Sequence, residues 1–192
     1  MRKGVLLWKN RDMLIDTRKY LAEATMLDGA AIRIRAIRPD DQERLHDHFK
    51  SMSEQSVYFR FMGLKRDLYP DDLKRLTELD FISHVGLVAT VSENGRERII
   101  GVGRYICGAD PHRAEVAFAV RDQFQGHGIG TILLQHLSLI ADANGVAEFE
   151  ADVLGENRAM LEVFAHNGFE SHNSLDSGVV RLRSSTRKIL KE

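Results

Sequence analysis

The chain has a single cysteine, Cys107. One thiol cannot close an internal disulfide, and this usage suits a reducing compartment. There is no apolar run near the ~18 residues of a membrane-crossing helix. Val5-Leu6-Leu7-Trp8 follows Arg2 and Lys3, but Lys9, Asn10 and Arg11 end the run too soon for a signal peptide. Together these absences predict a cytoplasmic protein with no membrane contact. Charge of one sign is also missing. The formal net charge is −1, which gives no bulk attraction to nucleic acid or anionic lipid. No basic patch interleaves with aromatics, so nucleic-acid binding is not expected. Internal repeats, low-complexity segments and linkers are absent. His84, His112, His136, His166 and His172 show no metal-type pairing with carboxylates or cysteine at helical spacing. His46 and His48, two apart on a helix, do not face each other. No metal is expected.

What is present has the balance of an ordinary soluble domain. Hydrophobic residues make up 43% and charged residues 29% of 192 positions, enough for one core. Residues 1–29 read as an N-terminal extension. There Met13, Tyr20, Leu21, Ala24 and Leu27 fall at helical spacing and predict a short amphipathic helix. It packs on the domain's own surface or, in the alternative, makes a homodimer or partner contact. Asp28-Gly29 signals a turn. Residues 31–37 alternate Ile32, Ile34 and Ala36 against Arg33 and Arg35, as a strand does. Asp40, with Glu43 three residues on, opens a helix that buries Leu45, Phe49 and Met52. Two further helices follow, over residues 53–62 and from Tyr69-Pro70-Asp71-Asp72. The second buries Leu73, Leu76 and Leu79. Strands at residues 85–91 and 98–107 flank the hairpin signal Asn94-Gly95. Later come a strand at residues 149–153, a helix carrying Met160, Val163 and Phe164, and two strands, one from Phe169 onward and one over residues 179–183. The tail, residues 187–192, is basic and expected to be solvated. The sum is an α/β fold with a mixed sheet.

Residues 115–131 organise the rest. Glu115-Val-Ala-Phe-Ala-Val120 reads as a strand. Gln125, Gly126, His127, Gly128, Ile129 and Gly130 form a glycine-rich turn. Ile129, Leu133, Leu137 and Ile140 then make a helical apolar stripe. A strand that turns directly into a helix aims backbone N–H groups and the positive helix end at one point, which suits a phosphate. Glycine lets an anion come close to the backbone there. A P-loop would need Lys and Ser or Thr after the last glycine, whereas Gly130 is followed by Thr131-Ile132. A dinucleotide fingerprint would need G-x-G-x-x-G, whereas this turn is G-x-G-x-G.

The pattern Gln125-x-x-Gly128-x-Gly130 resembles the pyrophosphate loop of the GNAT superfamily, the Gcn5-related N-acetyltransferases, which reads Gln/Arg-x-x-Gly-x-Gly/Ala. Asn157-Arg158-Ala159-Met160-Leu161-Glu162-Val163-Phe164-Ala165-His166-Asn167-Gly168-Phe169 is similar to a second family signature, Asn-x-x-Ala-x-x-x-Tyr-x-x-x-Gly-Phe. The resemblance covers residues 32–184, within a domain bounded at residues 30–186. It implies a mostly antiparallel central sheet of about seven strands flanked by helices, with acetyl-CoA as cosubstrate. Three segments resemble more narrowly the catalytic domains of bacterial protein lysine acetyltransferases. They are residues 28–41, residues 53–61 (Ser-Glu-Gln-Ser-Val-Tyr-Phe-Arg-Phe) and Ala114-Glu115-Val116-Ala117. Such domains often follow a regulatory module, which this chain is expected to lack for want of length.

An acetyl thioester is already activated, but a lysine amine with a pKa near 10.4 is mostly protonated at neutral pH. Catalysis therefore needs a base and donors for the developing oxyanion. Glu115 is the candidate base. Ala117 and Ala119 follow it on the same strand face and leave a groove, while Val116, Phe118 and Val120 face a core. In the resemblance, the glutamate at this position is the general base. A plainer reading pairs it with Arg113 or Arg104. By family analogy Phe118, Ala119 and Val120 run beside the pantetheine arm, and Gln125, Gly126, His127, Gly128, Ile129, Gly130 and Thr131 hold the pyrophosphate. Arg121 and His127 either add contacts or lie on the surface. Asn157 matches the family's coenzyme-contacting asparagine and can also cap its helix. Phe164 departs from the family tyrosine that protonates the leaving thiolate. That leaves solvent or Tyr105 for the task, or an impaired enzyme. The helices after the first strand form part of the acceptor site in the superfamily. The expected activity is direct acetyl transfer to an amine, a protein lysine first. A small-molecule amine and a non-catalytic acyl-CoA-sensing module are the alternatives.

Overall fold

The computed structural model describes residues 16–174 and 178–190. A sheet of eight strands, in the order β1-β2-β3-β4-β5-β6-β8-β7, carries helices on both faces. In chain order the elements are β1 (Leu21–Thr25), β2 (Ala31–Ala36), α1 (Gln42–Lys50), α2 (Glu54–Phe61), α3 (Pro70–Thr77), β3 (His84–Glu93) and β4 (Arg96–Cys107). They continue with β5 (Arg113–Val120), α4 (Ile129–Ala143), β6 (Glu148–Leu154), α5 (Arg158–His166), β7 (Glu170–Ser174), β8 (Val179–Ser185) and α6 (Thr186–Ile189). All strand pairs are antiparallel except β5 with β6. Among the described residues, no helix is long and apolar enough to cross a membrane.

Alternation along the central strands sorts their side chains between two layers. Gly101 and Gly103 on β4 face α4; a Cβ on either would run into Ile129, Leu133 or Phe118. The α4 stripe of Ile129, Leu133, Leu137 and Ile140 is fully buried there. Gly86 on β3 faces the opposite layer, where a Cβ would meet Leu79 and Ile37. Leu45 and Phe49 of α1 are buried, and Leu73, Leu76 and Leu79 pack partly against the core. The β3–β4 turn has Asn94 at φ 51° and Gly95 at φ 75°, the two positive angles that its Asn-Gly signal promised.

Two expectations for the chain ends are corrected. Residues 20–27 do not form a helix: β1 pairs antiparallel with β2, from Leu21↔Arg35 to Thr25↔Ala31. Leu21 and Leu27, counted toward a buried stripe, are 61% and 81% exposed. Tyr20 and Ala24 do pack partly against the core, and Met13, another member of that stripe, lies outside the described residues. The helix face on which the dimer alternative stood is thus absent over residues 21–25, and the sheet gains an eighth strand ahead of the expected boundary. The tail from Thr186 to Ile189 is not simply solvated. It forms α6, with Ile189 buried, Arg187 Nε 2.8 Å from Asp142 and Lys188 Nζ 2.7 Å from Glu170.

Buried charge is compensated at the start of the fold. The Arg35 guanidinium donates to both oxygens of Asp41, at 2.6 and 2.7 Å, and to both oxygens of Glu97, at 3.0 and 2.7 Å. Asp41 is fully buried and also accepts from the Arg38 backbone N–H and from Arg44. This cluster locks β2, the entry to α1 and β4 together.

Candidate active site

The strands β5 and β6 pair over three rungs only: Arg113↔Glu148, Ala114↔Phe149 and Glu115↔Glu150. Beyond Glu115 they part. Among the described residues no strand covers 116–120 on the β6 side, while β4 holds the other side through Val120. A cleft of about 620 Å³ opens in the gap. Glu115, Phe118, Ala119, Val120, Asn157, Phe164 and the loop residues 125–131 other than His127 line it, whereas Arg121 and Tyr105 do not. Strand, loop and helix termini separated by up to 49 positions therefore converge, from Glu115 to Phe164.

The loop after β5 is built by its glycines. Gly126 and Gly128 have φ of 77° and 82°, which side-chain-bearing residues rarely adopt. Gly128 precedes the first helical residue, and Ile132 N–H returns to its carbonyl at 3.0 Å. The amides of Ile129, Gly130 and Thr131 thus have no intrahelical acceptor and lie in the cleft wall at the positive end of α4. No lysine or arginine sits in residues 125–131, so the donors this loop offers are backbone N–H groups. A Cβ at Gly130 would lie 3.5 Å from Val163, an ordinary contact, so the third loop position tolerates alanine.

Three side chains behave differently from expectation. His127 turns out of the cleft, with Nδ1 2.9 Å from the Gln125 carbonyl and Nε2 3.6 Å from Asp28. Arg121 is buried; its Nε donates to the Ile99 carbonyl at 2.8 Å and pins the end of β5 to β4. Tyr105 is fully buried on the α4 face and accepts a hydrogen bond from Asn144. It is not among the lining residues, and burial pushes its phenol up. Tyr105 therefore cannot stand in for the missing family tyrosine. Phe164 does line the cleft but is only 1% exposed, held in a ring cluster with Phe118 at 5.8 Å and Phe169 at 4.6 Å.

Asn157 caps its helix and leaves its amide nitrogen toward the cleft lining. Its Oδ1 accepts from Met160 N–H at 3.2 Å and caps α5, while its Nδ2 has no partner among the described residues. Glu115 is exposed in the cleft, and among the described residues neither arginine suggested by the sequence pairs with it. Arg113 turns to Asp110, Glu148 and Glu150, and Arg104 to His84. The charged groups that face Glu115 are Arg60 of α2 and Arg181 of β8.

Several cleft residues escaped the sequence reading. Asp122 accepts from Ser53 N–H, Ser53 Oγ and Ser56 Oγ at 2.7–2.9 Å. Gln125 Nε2 donates to Ser56 Oγ and to the Val120 carbonyl. The start of α2 is thereby tied to the cradle. Leu27, at the β1–β2 turn, lies 3.1 Å from where a Gly128 Cβ would be, and its N–H donates to the His127 carbonyl. Nothing in local spacing marks these contacts. Among the described residues, no three His, Cys, Asp or Glu side chains converge in a way that could hold a metal ion. Burial and then Asp80 and Asp110 push the Cys107 thiol up, away from the reactive thiolate.

Residues 49–169 match the model of the acetyltransferase (GNAT) family. An acetyltransferase of Pseudomonas aeruginosa is 30% identical over 149 residues, covering 78% of this chain and 80% of that protein. The acetyltransferase Pat of Mycolicibacterium smegmatis is 32% identical over 141 residues, which is 73% of this chain; the match spans only 41% of that relative's length. The crystal structure of the GNAT domain of S. lividans PAT superposes with a TM-score of 0.80 at 36% identity, covering 86% of this chain and 96% of that one.

Proposed function

The chain belongs to the GNAT acetyltransferase family, and from that premise we propose that it acetylates lysine side chains of proteins, with Glu115 as general base. Acetyl-CoA, the family's cosubstrate, brings an acetyl group already activated as a thioester. The residues present suit it. The amides of residues 126–131 would receive the diphosphate. The uncovered edge of residues 116–120 and Asn157 Nδ2 would hold the amide-bearing arm, which needs both donors and acceptors. The thiol end would then lie toward the last β5–β6 rung, where Glu115 stands.

The observation that carries this reading is the position of Glu115. It shares one cleft with the cradle, lies at the point where β5 and β6 diverge, and makes no ion pair among the described residues. A carboxylate so placed can take a proton from an incoming ammonium, directly or through water. The neutral amine then attacks the thioester, and a backbone N–H of β5 supports the negative charge on the carbonyl oxygen. None of Tyr20, Tyr58, Tyr69 and Tyr105 lines the cleft, so the departing thiolate takes its proton from water. The lysine assignment rests on the segments that resemble protein lysine acetyltransferases. The reducing compartment suggested by Cys107 supports a cytoplasmic setting.

Incubating a lysate with the protein and isotope-labelled acetyl-CoA, followed by mass spectrometry, tests the acceptor. Label on protein lysines is expected. Label confined to small amines would overturn the lysine assignment and leave an acetyltransferase of small molecules.

A further inference from the structure

Among the described residues, two arginines near Glu115 have no carboxylate hydrogen-bonded or ion-paired to them. Arg60 of α2 lines the cleft with Glu115 and is partly buried. Among the described residues it makes no ion pair or hydrogen bond; its contact is the Phe61 ring, 5.2 Å away. Arg104 of β4 lies in register with Ala117, two rungs from Glu115, on the same face of the sheet. It is 5% exposed, and its polar contact is His84 Nε2 at 3.5 Å. The contrast with Arg35 is direct. That residue is equally buried and grips both oxygens of two carboxylates.

The surroundings do not make up the deficit. Burial, then the charges of Arg60 and Arg75, push the Arg104 guanidinium down to about 9. Burial and Arg104 push His84 down to about 4, so its ring is neutral near pH 7. Asp80 is occupied by Ser83 and by the backbone N–H groups of Ile82 and His84. Asp72 is shared by Lys65 and Arg75. Arg181 is already matched by Asp152. Among the described residues Glu115 is the carboxylate that faces Arg60, and a base cannot also serve as a permanent counter-ion. A bare lysine ammonium entering here would add a third positive charge. An acceptor that brings its own carboxylate removes that cost and supplies the missing partner.

We propose that the acceptor side of the cleft is an anion site, in which Arg60, backed by Arg104, binds a carboxylate carried by the acceptor close to its reactive amine. This rests on the lysine reading above and narrows it to lysines flanked by Asp or Glu.

The test compares kcat/KM on peptides that differ only in having Glu, Gln or Lys beside the target lysine. The wild-type protein is expected to prefer the Glu peptide over the Gln peptide by about tenfold or more. Arg60→Gln abolishes that preference, Arg60→Glu shifts it toward the Lys peptide, and Arg60→Lys keeps its direction. Equal rates on the three peptides with the wild-type protein, or a preference that survives Arg60→Gln, overturn the proposal; the wild-type comparison holds even if a variant folds poorly. If no peptide is acetylated but small amines are, the lysine reading falls by itself. The anion site is then read from a free amino acid against its carboxamide: a faster acid sustains it and equal rates overturn it. Acetylation of none of these overturns both readings.

Discussion

Glu115 and Glu150 face each other across the last rung that joins β5 to β6. Glu150 is engaged, with Arg183 NH2 3.0 Å from its carboxylate, whereas Glu115 has no ion pair among the described residues. Of these two neighbouring carboxylates, the structure leaves one free for proton transfer. Glu115→Gln should therefore lower kcat by about 10²–10⁴-fold while acetyl-CoA binding, read by calorimetry, changes little. A variant that keeps more than half of wild-type turnover would remove Glu115 from the mechanism.

The loop glycines should not be equivalent. Gly128→Ala forces a side chain into φ 82° with its Cβ 3.1 Å from Leu27, and should weaken coenzyme binding and stability by about 1–2 kcal/mol. Gly130→Ala, whose Cβ meets Val163 at 3.5 Å, should bind within a few-fold of wild type. Matched titrations of the two variants with acetyl-CoA check the ranking.

Restoring the family phenol should not help. Phe164 is 1% exposed between Phe118 and Phe169. Phe164→Tyr would place a hydroxyl where no partner is set, costing about 1–3 kcal/mol by chemical denaturation. Turnover measured alongside should stay flat or fall; a gain would show that the phenol reaches the thiolate.

Removing one partner from the Arg35 cluster should be severe. Asp41→Ala leaves a guanidinium that is 5% exposed with two of its five acceptors gone. The expected loss is about 3–5 kcal/mol in urea unfolding. Breaking an exposed pair such as Lys50 with Asp67 should cost far less, because solvent screens it.

Acid should destabilise the protein through its buried histidines. His48, His84 and His136 are each pushed down to about 4, chiefly by burial, with Arg121 adding to the effect on His48 and Arg104 on His84. In the unfolded chain they titrate near 6.5. The unfolded state then binds more protons between pH 6.5 and 4, so stability is complete above that window and lost as pH falls through it. His48, 2% exposed, should alone account for on the order of 2 kcal/mol by pH 5. Neither of its ring nitrogens makes a hydrogen bond of good geometry among the described residues, the Ile99 carbonyl being a close polar neighbour, so His48→Leu should cost little at pH 7.5 and flatten the decline. Denaturation at pH 7.5, 6 and 5 measures both effects.

The strand, loop and helix of residues 115–131 were legible because alternation, positive-φ glycines and an apolar stripe are local signals. Asn157 and Phe164 were legible through the resemblance alone, and the structure brings them to the same cleft. The first strand was not. Tyr20, Leu21, Ala24 and Leu27 fit a helical template, yet β1 is an edge strand that turns only Ala22 and Ala24 inward. Alanines give a weak period-two signal, and the pairing with β2 decides the matter. The roles of Asp122, Leu27, Arg60 and Arg104 were invisible for a related reason. Each depends on which elements meet across the sheet, and no spacing along the chain encodes that.

The contacts of the first hairpin reach past the sheet edge. Tyr20 is bonded to His136 on α4, and the Leu27 amide is bonded to the carbonyl of His127, between the two glycines of the cradle. The first hairpin and the glycine loop therefore share one hydrogen-bonded frame, so substitutions in β1 would be felt at the start of α4 even though the two lie about a hundred positions apart in the chain.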